Sequence, residues 1–311
     1  MTENFNKHSI KELILAAFTA ILIYYTSVSI FPFAIFVFPT PFVVLGVKRG
    51  YQHSILSLIL SSGAIYLLDG WAGTIMMLVY AIIVSIPMII ALKKGFKAFK
   101  TMVIVTACVC ILVVGLSVIM SVTEGIDIVK GFEDAVSTSI EAQIQIINKM
   151  NIPQTGDLKD MMRSSVTLMM AIIPSLLFIM AMSISMFNYY LSTTVLRRIG
   201  FGIIDVPKFY NFKLPSDILK GVVICIVGIF IFDKMGFGYT TELSLNIMMA
   251  FSFLFMLQGL AVAIFYLRKK MNPIVLNIFI VVTIIFNIRM FYIFIGLFDS
   301  IFNFRYRKRR E

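Results

Sequence analysis

The sequence predicts an all-α membrane protein, a polytopic transmembrane helical bundle of about eight to ten segments with a cytoplasmic N-terminus. The 311 residues are 59% hydrophobic and 14% charged, whereas soluble domains are about 45–50% apolar and about a quarter charged. The apolar residues come in long uninterrupted runs, and basic residues cluster at every second connection between those runs. These observations exclude an ordinary soluble domain.

About nine apolar runs have the composition of membrane segments, and the long ones approach the roughly 20 residues that cross a bilayer core. The second run is short because Pro39 and Pro41 break it, and the third is also short. In order, the runs are 13–31, 33–47, 54–68, 72–92, 101–122, 166–191, 221–232, 243–267 and 274–298.

Lysine and arginine assign the sides of the membrane, because cytoplasmic loops carry an excess of both. Basic clusters precede the first run and follow the second, fourth, sixth and eighth. The other connections are poor in basic residues, and the loop 124–163 is net acidic. The clusters are Lys7 and Lys11, Lys48 and Arg49, Lys93, Lys94, Lys97 and Lys100, Arg197 and Arg198, and Arg268, Lys269 and Lys270. This alternation predicts a cytoplasmic N-terminus and an outer acidic loop.

The last run leaves the side of the C-terminus open. A single crossing over 274–298 would place the basic tail outside the membrane. Arg289 interrupts the run near its middle, and an intramembrane arginine requires a protein or water-lined environment. We therefore favour a two-piece helical hairpin that returns the tail to the cytoplasm, with the single crossing as the alternative.

The chain is predicted to have three parts. Residues 1–198 form a six-segment membrane bundle, residues 199–217 a cytoplasmic interfacial connection, and residues 218–311 the C-terminal membrane helices and basic tail. Apolar residues recur every three or four positions in the outer loop and predict an amphipathic helix at about 124–150. That helix lies on the outer membrane surface or, alternatively, covers an outward-facing cavity.

The connection 199–217 interleaves aromatic residues with lysines and prolines. This pattern is typical of a segment held at the membrane interface against anionic headgroups. The alternative is a docking surface for a partner, formed by Phe209, Tyr210 and Phe212. A second candidate docking face is the small-residue stripe of Ala16 and Ala20, which also suits packing inside the protein.

No catalytic constellation is visible, so we expect neither an enzyme nor a bound cofactor or metal. The sequence contains no H-E-x-x-H, G-x-S-x-G or P-loop motif. Cys108, Cys110 and Cys225 all lie in apolar runs and form no disulfide or metal-binding pattern. The net charge of +11 is accounted for by the basic connections, so no nucleic-acid partner is expected.

Polar residues within the apolar runs must pair or face a cavity. We expect the amides to join helices by hydrogen bonds. Arg289 and Asp299 are ten residues apart and lie about 80° out of alignment on a straight helix, so they pair only across a break. The candidates are Asn188, Asn246, Gln258, Asn277, Asn287, Arg289 and Asp299.

Aromatic and charged residues predicted near the outer ends of segments are the candidate substrate-binding residues. Together they suit an outward-facing pocket for a small organic ligand. The alternative is an aromatic belt at the membrane interface. These residues are Tyr24, Tyr25, Tyr66, Asp69, Trp71 and Arg163.

The order of the first six segments resembles the substrate-binding, or S, components of energy-coupling factor (ECF) vitamin transporters. Ala16 and Ala20 resemble the alanine motif by which those components dock their transmembrane coupling subunit. The stretch from Pro41 to Gly50 resembles their proline-led short second helix and the glycine turn after it. The resemblance implies an S-component-like bundle over 1–198 and two partners in trans, a transmembrane coupling subunit and an ATPase.

Over nearly its whole length the chain is similar to the uncharacterised YybS-like membrane-protein family of Gram-positive bacteria. The similarity is carried by 188–190 leading to Arg197 and Arg198, and by 257–261, 296–299 and 302–305. Where the family pattern leads us to expect Asp before the final Phe-Arg, this chain has Asn303. The similarity implies a multi-pass protein of the bacterial plasma membrane with an added C-terminal helical part, and no established activity.

Two functions follow as hypotheses. The first is a small-molecule-binding membrane transport component that depends on coupling subunits in trans, since the chain has no nucleotide-binding motif of its own. The second is a non-transport scaffold or regulator that recruits partners through its cytoplasmic aromatic and basic loop.

Overall fold

The computed structural model describes residues 7–125, 128–149, 155–201, 208–285 and 289–307. Within these ranges every regular element is helical, which confirms the predicted all-α class. Two short 3₁₀ turns, Pro32–Val37 and Phe209–Asn211, accompany the α-helices. The α-helices are α1 Lys7–Ser29, α2 Thr40–Arg49, α3 Tyr51–Lys93, α4 Ala98–Glu124, α5 Ile128–Lys149, α6 Thr155–Ala171, α7 Ile173–Arg198, α8 Ile218–Lys234, α9 Thr240–Leu267, α10 Pro273–Ile285, α11 Arg289–Phe302 and α12 Phe304–Arg307.

In the part of the chain that the structure describes, six helical segments are long and apolar enough to cross a membrane. They are Lys7–Ser29, Pro32–Arg49, Tyr51–Lys93, Ala98–Val122, Ile173–Arg198 and Thr240–Leu267. The chain is thus a multi-pass helical membrane protein. The count of eight to ten segments and the cytoplasmic N-terminus stay predictions.

The helices form two compact units. The first unit contains Met1–Gly115 and Met180–Val206, and the second contains Leu116–Ile179 and Pro207–Glu311. The division of the sequence at 198 and 217 stays a prediction. Helix α5 is present where the amphipathic pattern of the outer loop lies, and its position on the membrane surface also stays a prediction.

Helix α3 of the first unit is a helical hairpin. Its 43 residues change direction at Gly70, whose φ of 71° and ψ of −165° are not helical. A Cβ on Gly46 would lie 3.2 Å from Ser54 Cβ and would overlap the side chain of Ile89. Ser54 and Ile89 would be about 50 Å apart on a straight helix, so the two limbs run back along each other. The Asp-Gly-Trp sequence at 69–71 thus forms a tight turn.

The interrupted second segment of the first unit is held by a buried amide. The 3₁₀ turn leaves backbone carbonyls without helical partners, and Asn188 Nδ2 donates a hydrogen bond of 2.6 Å to the Phe36 carbonyl. The Tyr80 hydroxyl donates to the same oxygen at 3.1 Å, and Thr40 Oγ1 donates to Asn188 Oδ1 at 2.9 Å. Asn188 therefore joins α7 to the 3₁₀ turn and to α2.

In the second unit, α9 and α11 approach backbone to backbone. A Cβ on Gly259 would overlap the Tyr292 carbonyl oxygen and lie 2.9 Å from Gly296 N, and one on Gly296 would overlap the Phe255 carbonyl oxygen. Only glycine permits this approach. Asn246 of α9 bonds backbone groups at the break between α6 and α7. Its Oδ1 accepts a hydrogen bond from Ser175 N at 2.8 Å, and its Nδ2 donates one to the Ala171 carbonyl.

The last apolar run consists of two helices, α10 and α11. The hydroxyls of Thr283 and Tyr292 are 2.6 Å apart, although nine residues of straight helix span about 13.5 Å. Helices α10 and α11 therefore do not continue each other as one straight helix. Their 13 and 14 residues fall short of the roughly 20 that cross a bilayer, and the hairpin arrangement stays a prediction. The side of the membrane on which the tail lies stays a prediction.

Candidate functional site

A groove on the first unit is the main candidate site. It has a volume of about 330 Å³ and lies between α1, α2 and the end of α7. Apolar side chains form most of its wall, with a carboxylate and an ammonium group at one end. Its lining residues are Glu12, Leu15, Ala16, Thr19, Ile23, Val37, Thr40, Pro41, Val44, Leu45, Lys48, Leu191, Val195 and Ile199.

Small residues on α1 account for this groove. Ala17 and Ala20 are buried in the unit, with 2% and 0% of their surface exposed, so α1 lies close against its neighbours. Ala16 lines the groove, where its single methyl group leaves space that a larger side chain would fill. The hydroxyls of Thr19 and Thr40 are both engaged, with the Leu15 carbonyl and with Asn188. The wall therefore offers a ligand little except apolar surface.

An ionic cluster marks one end of the groove. Glu12 accepts hydrogen bonds from Lys48 Nζ at 2.8 Å and from Arg49 Nε and Nη2 at 2.8 and 3.1 Å. His8 Nε2 lies 3.6 Å from the same carboxylate. Lys48 and Arg49 occupy the last turn of α2, where cations are favoured by the helix dipole. Among the described residues, the cluster contains two permanent cations and one carboxylate.

The predicted substrate-binding residues that the structure describes make separate pairwise contacts. The Tyr24 hydroxyl donates to Asp69 Oδ2 at 2.6 Å, which ties α1 to the turn of α3. Tyr66 and Trp71 flank that turn with their rings 6.3 Å apart, edge to face. Tyr25 is 56% exposed and Trp71 is 70% exposed, as residues of an interfacial belt would also be. Ligand binding at these residues stays a prediction.

Three residues selected from the sequence have side chains outside the described part of the chain. They are Arg163, Asn277 and Asn287.

The predicted docking residues pack against their own units. In the first unit, Ala20 is fully buried and Ala16 is 9% exposed. In the second unit, Phe209 and Phe212 stack with their ring centres 6.0 Å apart, and Phe212 is 6% exposed. The guanidinium of Arg268 lies 3.3 Å from the centre of the Tyr210 ring.

Basic neighbours also affect the Tyr210 hydroxyl. Burial raises its pKa, but hydrogen bonding to Arg268 and Lys208 outweighs that effect and lowers the pKa below its usual value.

A buried ionic network holds the end of the second unit. Asp299 Oδ2 accepts from Gln258 Nε2 at 2.8 Å and from Arg305 Nη2 and Nε at 2.8 and 3.2 Å. Arg305 Nη1 donates to the Tyr210 carbonyl at 2.9 Å, and Gln258 Oε1 accepts from Leu214 N at 3.1 Å. The charged side chains of the pair are each 2% exposed. The network joins α9, α11, α12 and the segment that follows residue 207.

The partner of Asp299 is Arg305, which belongs to the predicted basic tail. Arg289, the partner considered from the sequence, is exposed at the start of α11. Asn303 makes the pairing with Arg305 possible, because its φ of 51° turns the chain between α11 and α12. Asn and Asp both tolerate this left-handed conformation. The sequence feature that could have indicated this pairing is Asn303, which lies two residues before Arg305 and follows the last apolar run.

Among the described residues, no group of three or more His, Cys, Asp and Glu side chains could hold a metal ion. The comparisons with known proteins give one match. The family model described as "Predicted membrane protein (DUF2232)" matches residues 16–300. No curated protein and no solved structure matches the chain.

Proposed function

Since the chain belongs to the DUF2232 family of predicted membrane proteins, we propose that it is a transport component that binds a small molecule within the membrane. In this proposal the energy comes from coupling subunits supplied in trans, and the protein resides in the bacterial plasma membrane. The resemblance to YybS-like proteins and to ECF S components supports both points as an analogy.

The observation that carries the proposal is the groove of about 330 Å³ between α1, α2 and the end of α7. Ligand sites are concave, about 300–1,000 Å³ in volume and mostly apolar, with a few polar groups that orient the ligand. The groove has this form, with Glu12 and Lys48 as its charged groups. Tyr24 and Asp69 tie α1 to the turn of α3 in the same unit, and this bond is a second place where a ligand could exchange hydrogen bonds.

A coupling subunit needs a surface on this chain, and α1 offers one. Ile14, Phe18 and Leu22 are 53%, 57% and 49% exposed and are not among the residues that line the groove. Ala20 is buried beneath them, so its small side chain contributes by letting α1 sit close to the unit. The contact with a separate subunit would then involve the exposed face of α1 rather than Ala20 itself.

The test is recovery of a bound metabolite from the intact protein. The full chain is purified from its membrane in lipid nanodiscs, and small molecules are extracted and identified by mass spectrometry. Val195→Trp fills the groove from an exposed position on α7, and Val28→Trp adds the same bulk at an exposed position on α1. We expect a metabolite with wild type and Val28→Trp and none with Val195→Trp. Recovery that is unchanged by Val195→Trp would contradict the assignment of the groove.

A scaffold or regulator is the second candidate, and the exposed basic surface of the second unit favours it. Lys208, Lys269 and Lys270 are exposed, and Lys208 and Arg268 lie over the Tyr210 ring. Because Phe212 is buried, deletion of the loop would disturb the unit, and charge reversal is the cleaner test. Lys269→Glu with Lys270→Glu should abolish cross-linking to a partner, while the same change at Lys93 and Lys94 should not. Absence of any cross-linked partner in the wild-type protein would reject this function.

A further inference from the structure

The groove of the first unit is polarised along its length. It follows α1 from Glu12 to Ile23, which is about 16 Å of helix and about half the thickness of a bilayer core of roughly 30 Å. All of its charged residues lie at the Glu12 end, and the Ile23 end is apolar. A molecule that matches the groove therefore has one apolar end and one charged end.

The groove also opens sideways. Thr19 and four apolar lining residues are exposed, the apolar ones being Leu15, Leu191, Val195 and Ile199. Exposed leucine, valine and isoleucine side chains on membrane-spanning helices face lipid chains rather than water. A ligand can thus enter from the bilayer without crossing a polar barrier, which favours a molecule that is itself dissolved in the membrane.

The charged end selects the sign of the head group. Two permanent cations, Lys48 and Arg49, bond the carboxylate of Glu12. Arg197 and Arg198 form the last turn of α7, directly before the lining residue Ile199. Among the described residues, the last turns of α2 and α7, two helices that line the groove, thus carry four permanent cations, and Glu12 is the carboxylate that lines it. An anionic head group is attracted here, and basic groups at this depth are suited to charge-assisted hydrogen bonds with it.

We infer that the substrate is a single-chain anionic amphiphile of the fatty-acid class. Its chain lies in the groove along α1 and its carboxylate meets Lys48 at the ionic cluster. A single chain fits because the volume of about 330 Å³ is at the lower end of the range for ligand sites. This inference rests on the proposed function and names the substrate class for the same groove.

Photo-cross-linking of the full chain tests the inference. The protein is placed in nanodiscs of phosphatidylcholine and exposed to hexadecanoic acid that carries a diazirine on its chain. Labelled peptides are then mapped by mass spectrometry. We expect labels on α1 and on the end of α7, within 12–23 and 191–199. The corresponding diazirine alcohol, which has a neutral head, should label about tenfold less.

Matched variants separate the head-group contact from the chain contact. Lys48→Gln should lower labelling by the acid about tenfold and leave labelling by the alcohol unchanged. Lys93→Gln, at an exposed lysine ending α3, should change neither. Val195→Trp should abolish labelling by both probes and Val28→Trp by neither. Thermal unfolding of each variant checks that it is folded, and Leu191→Trp provides a second filled groove if Val195→Trp is unstable.

Several results would overturn the inference. Equal labelling by the acid and the alcohol would show that the groove does not distinguish a charged head group from a neutral one. Displacement of the acid by phosphatidylglycerol at equal concentration would make a bilayer phospholipid the occupant, and cross-links from the groove to another membrane protein would make it a helix-docking surface. Failure of the acid to label, while a native metabolite is still recovered and lost in Val195→Trp, would reject the fatty-acid class and retain the proposed function. Failure of both assays would reject both.

Discussion

Replacement of Arg305 should destabilise the second unit far more than replacement of an exposed basic residue that also pairs with an aspartate. Arg305→Met deletes two of the three hydrogen bonds to Asp299 Oδ2, and the bond from Nη1 to the Tyr210 carbonyl. Asp299 is 1% exposed, and its Oδ1 atom has no hydrogen-bond partner among the described residues. The variant therefore leaves a buried carboxylate with Gln258 as its one remaining donor.

The magnitude follows from this burial. Breaking a buried ion pair by removing one partner costs about 3–5 kcal/mol, because an uncompensated charge remains. The control is Lys220→Met, since Lys220 pairs with Asp217 at the same 2.8 Å but the two side chains are 79% and 72% exposed. An ion pair as exposed as this one contributes little to stability, because water screens it. At about 2–4 °C per kcal/mol, the two variants should differ in Tm by on the order of 10 °C.

Thermal unfolding of the full chain in detergent, followed by circular dichroism, measures this difference. The double variant Asp299→Leu with Arg305→Met removes both charges and should recover much of the lost stability, because no buried charge is left unpaired. Equal losses for Arg305→Met and Lys220→Met, or a double variant no more stable than Arg305→Met alone, would refute the reasoning.

Three further predictions use the same unfolding assay. Gly259→Ala should lower the free energy of unfolding by about 1–3 kcal/mol, because the added Cβ meets the α11 backbone. The control is Gly228→Ala in α8, where the added Cβ has open space. It should raise the free energy of unfolding by up to about 1 kcal/mol. Tyr24→Phe should lower the free energy of unfolding by about 1–2 kcal/mol, because the bond to Asp69 is lost. Tyr25→Phe, at an exposed position, should change it by less than about 0.5 kcal/mol. Equal effects of the two variants would argue against the Tyr24–Asp69 bond. Asn246→Leu should cost about 1–3 kcal/mol because Ser175 N loses its acceptor, and an unchanged Tm would contradict this role.

The pattern of apolar residues predicted the hairpin of α3 from short-range information alone. Asp69, Gly70 and Trp71 interrupt two apolar runs, and glycine is the residue that adopts a φ of 71° without strain. The amphipathic period in the outer loop predicted α5 in the same way. Such features depend on neighbours a few positions apart, which the sequence displays directly.

The candidate site was harder to predict because its members are distant along the chain. Tyr24 and Asp69 were both selected from the sequence and do meet, 45 positions apart. Glu12 was not selected, although it faces Lys48 and Arg49 and ends the groove. Arg305 was predicted only as part of a basic tail, and the turn at Asn303 brings it back to Asp299. No local pattern distinguishes a basic residue that pairs inside the protein from one that stays in water.

The sequence by itself determined that this is a helical membrane protein, because the free energy of placing apolar runs in a bilayer depends on composition and length. Positive charges beside those runs further predict its orientation. The tertiary structure alone decided which polar groups meet and where space remains between helices. Both depend on packing between segments that are distant in the chain. The small side chain of Ala16 leaves space in the groove, and Gly259 lets the backbone of α11 approach. Neither residue indicates in the sequence which distant segment it meets.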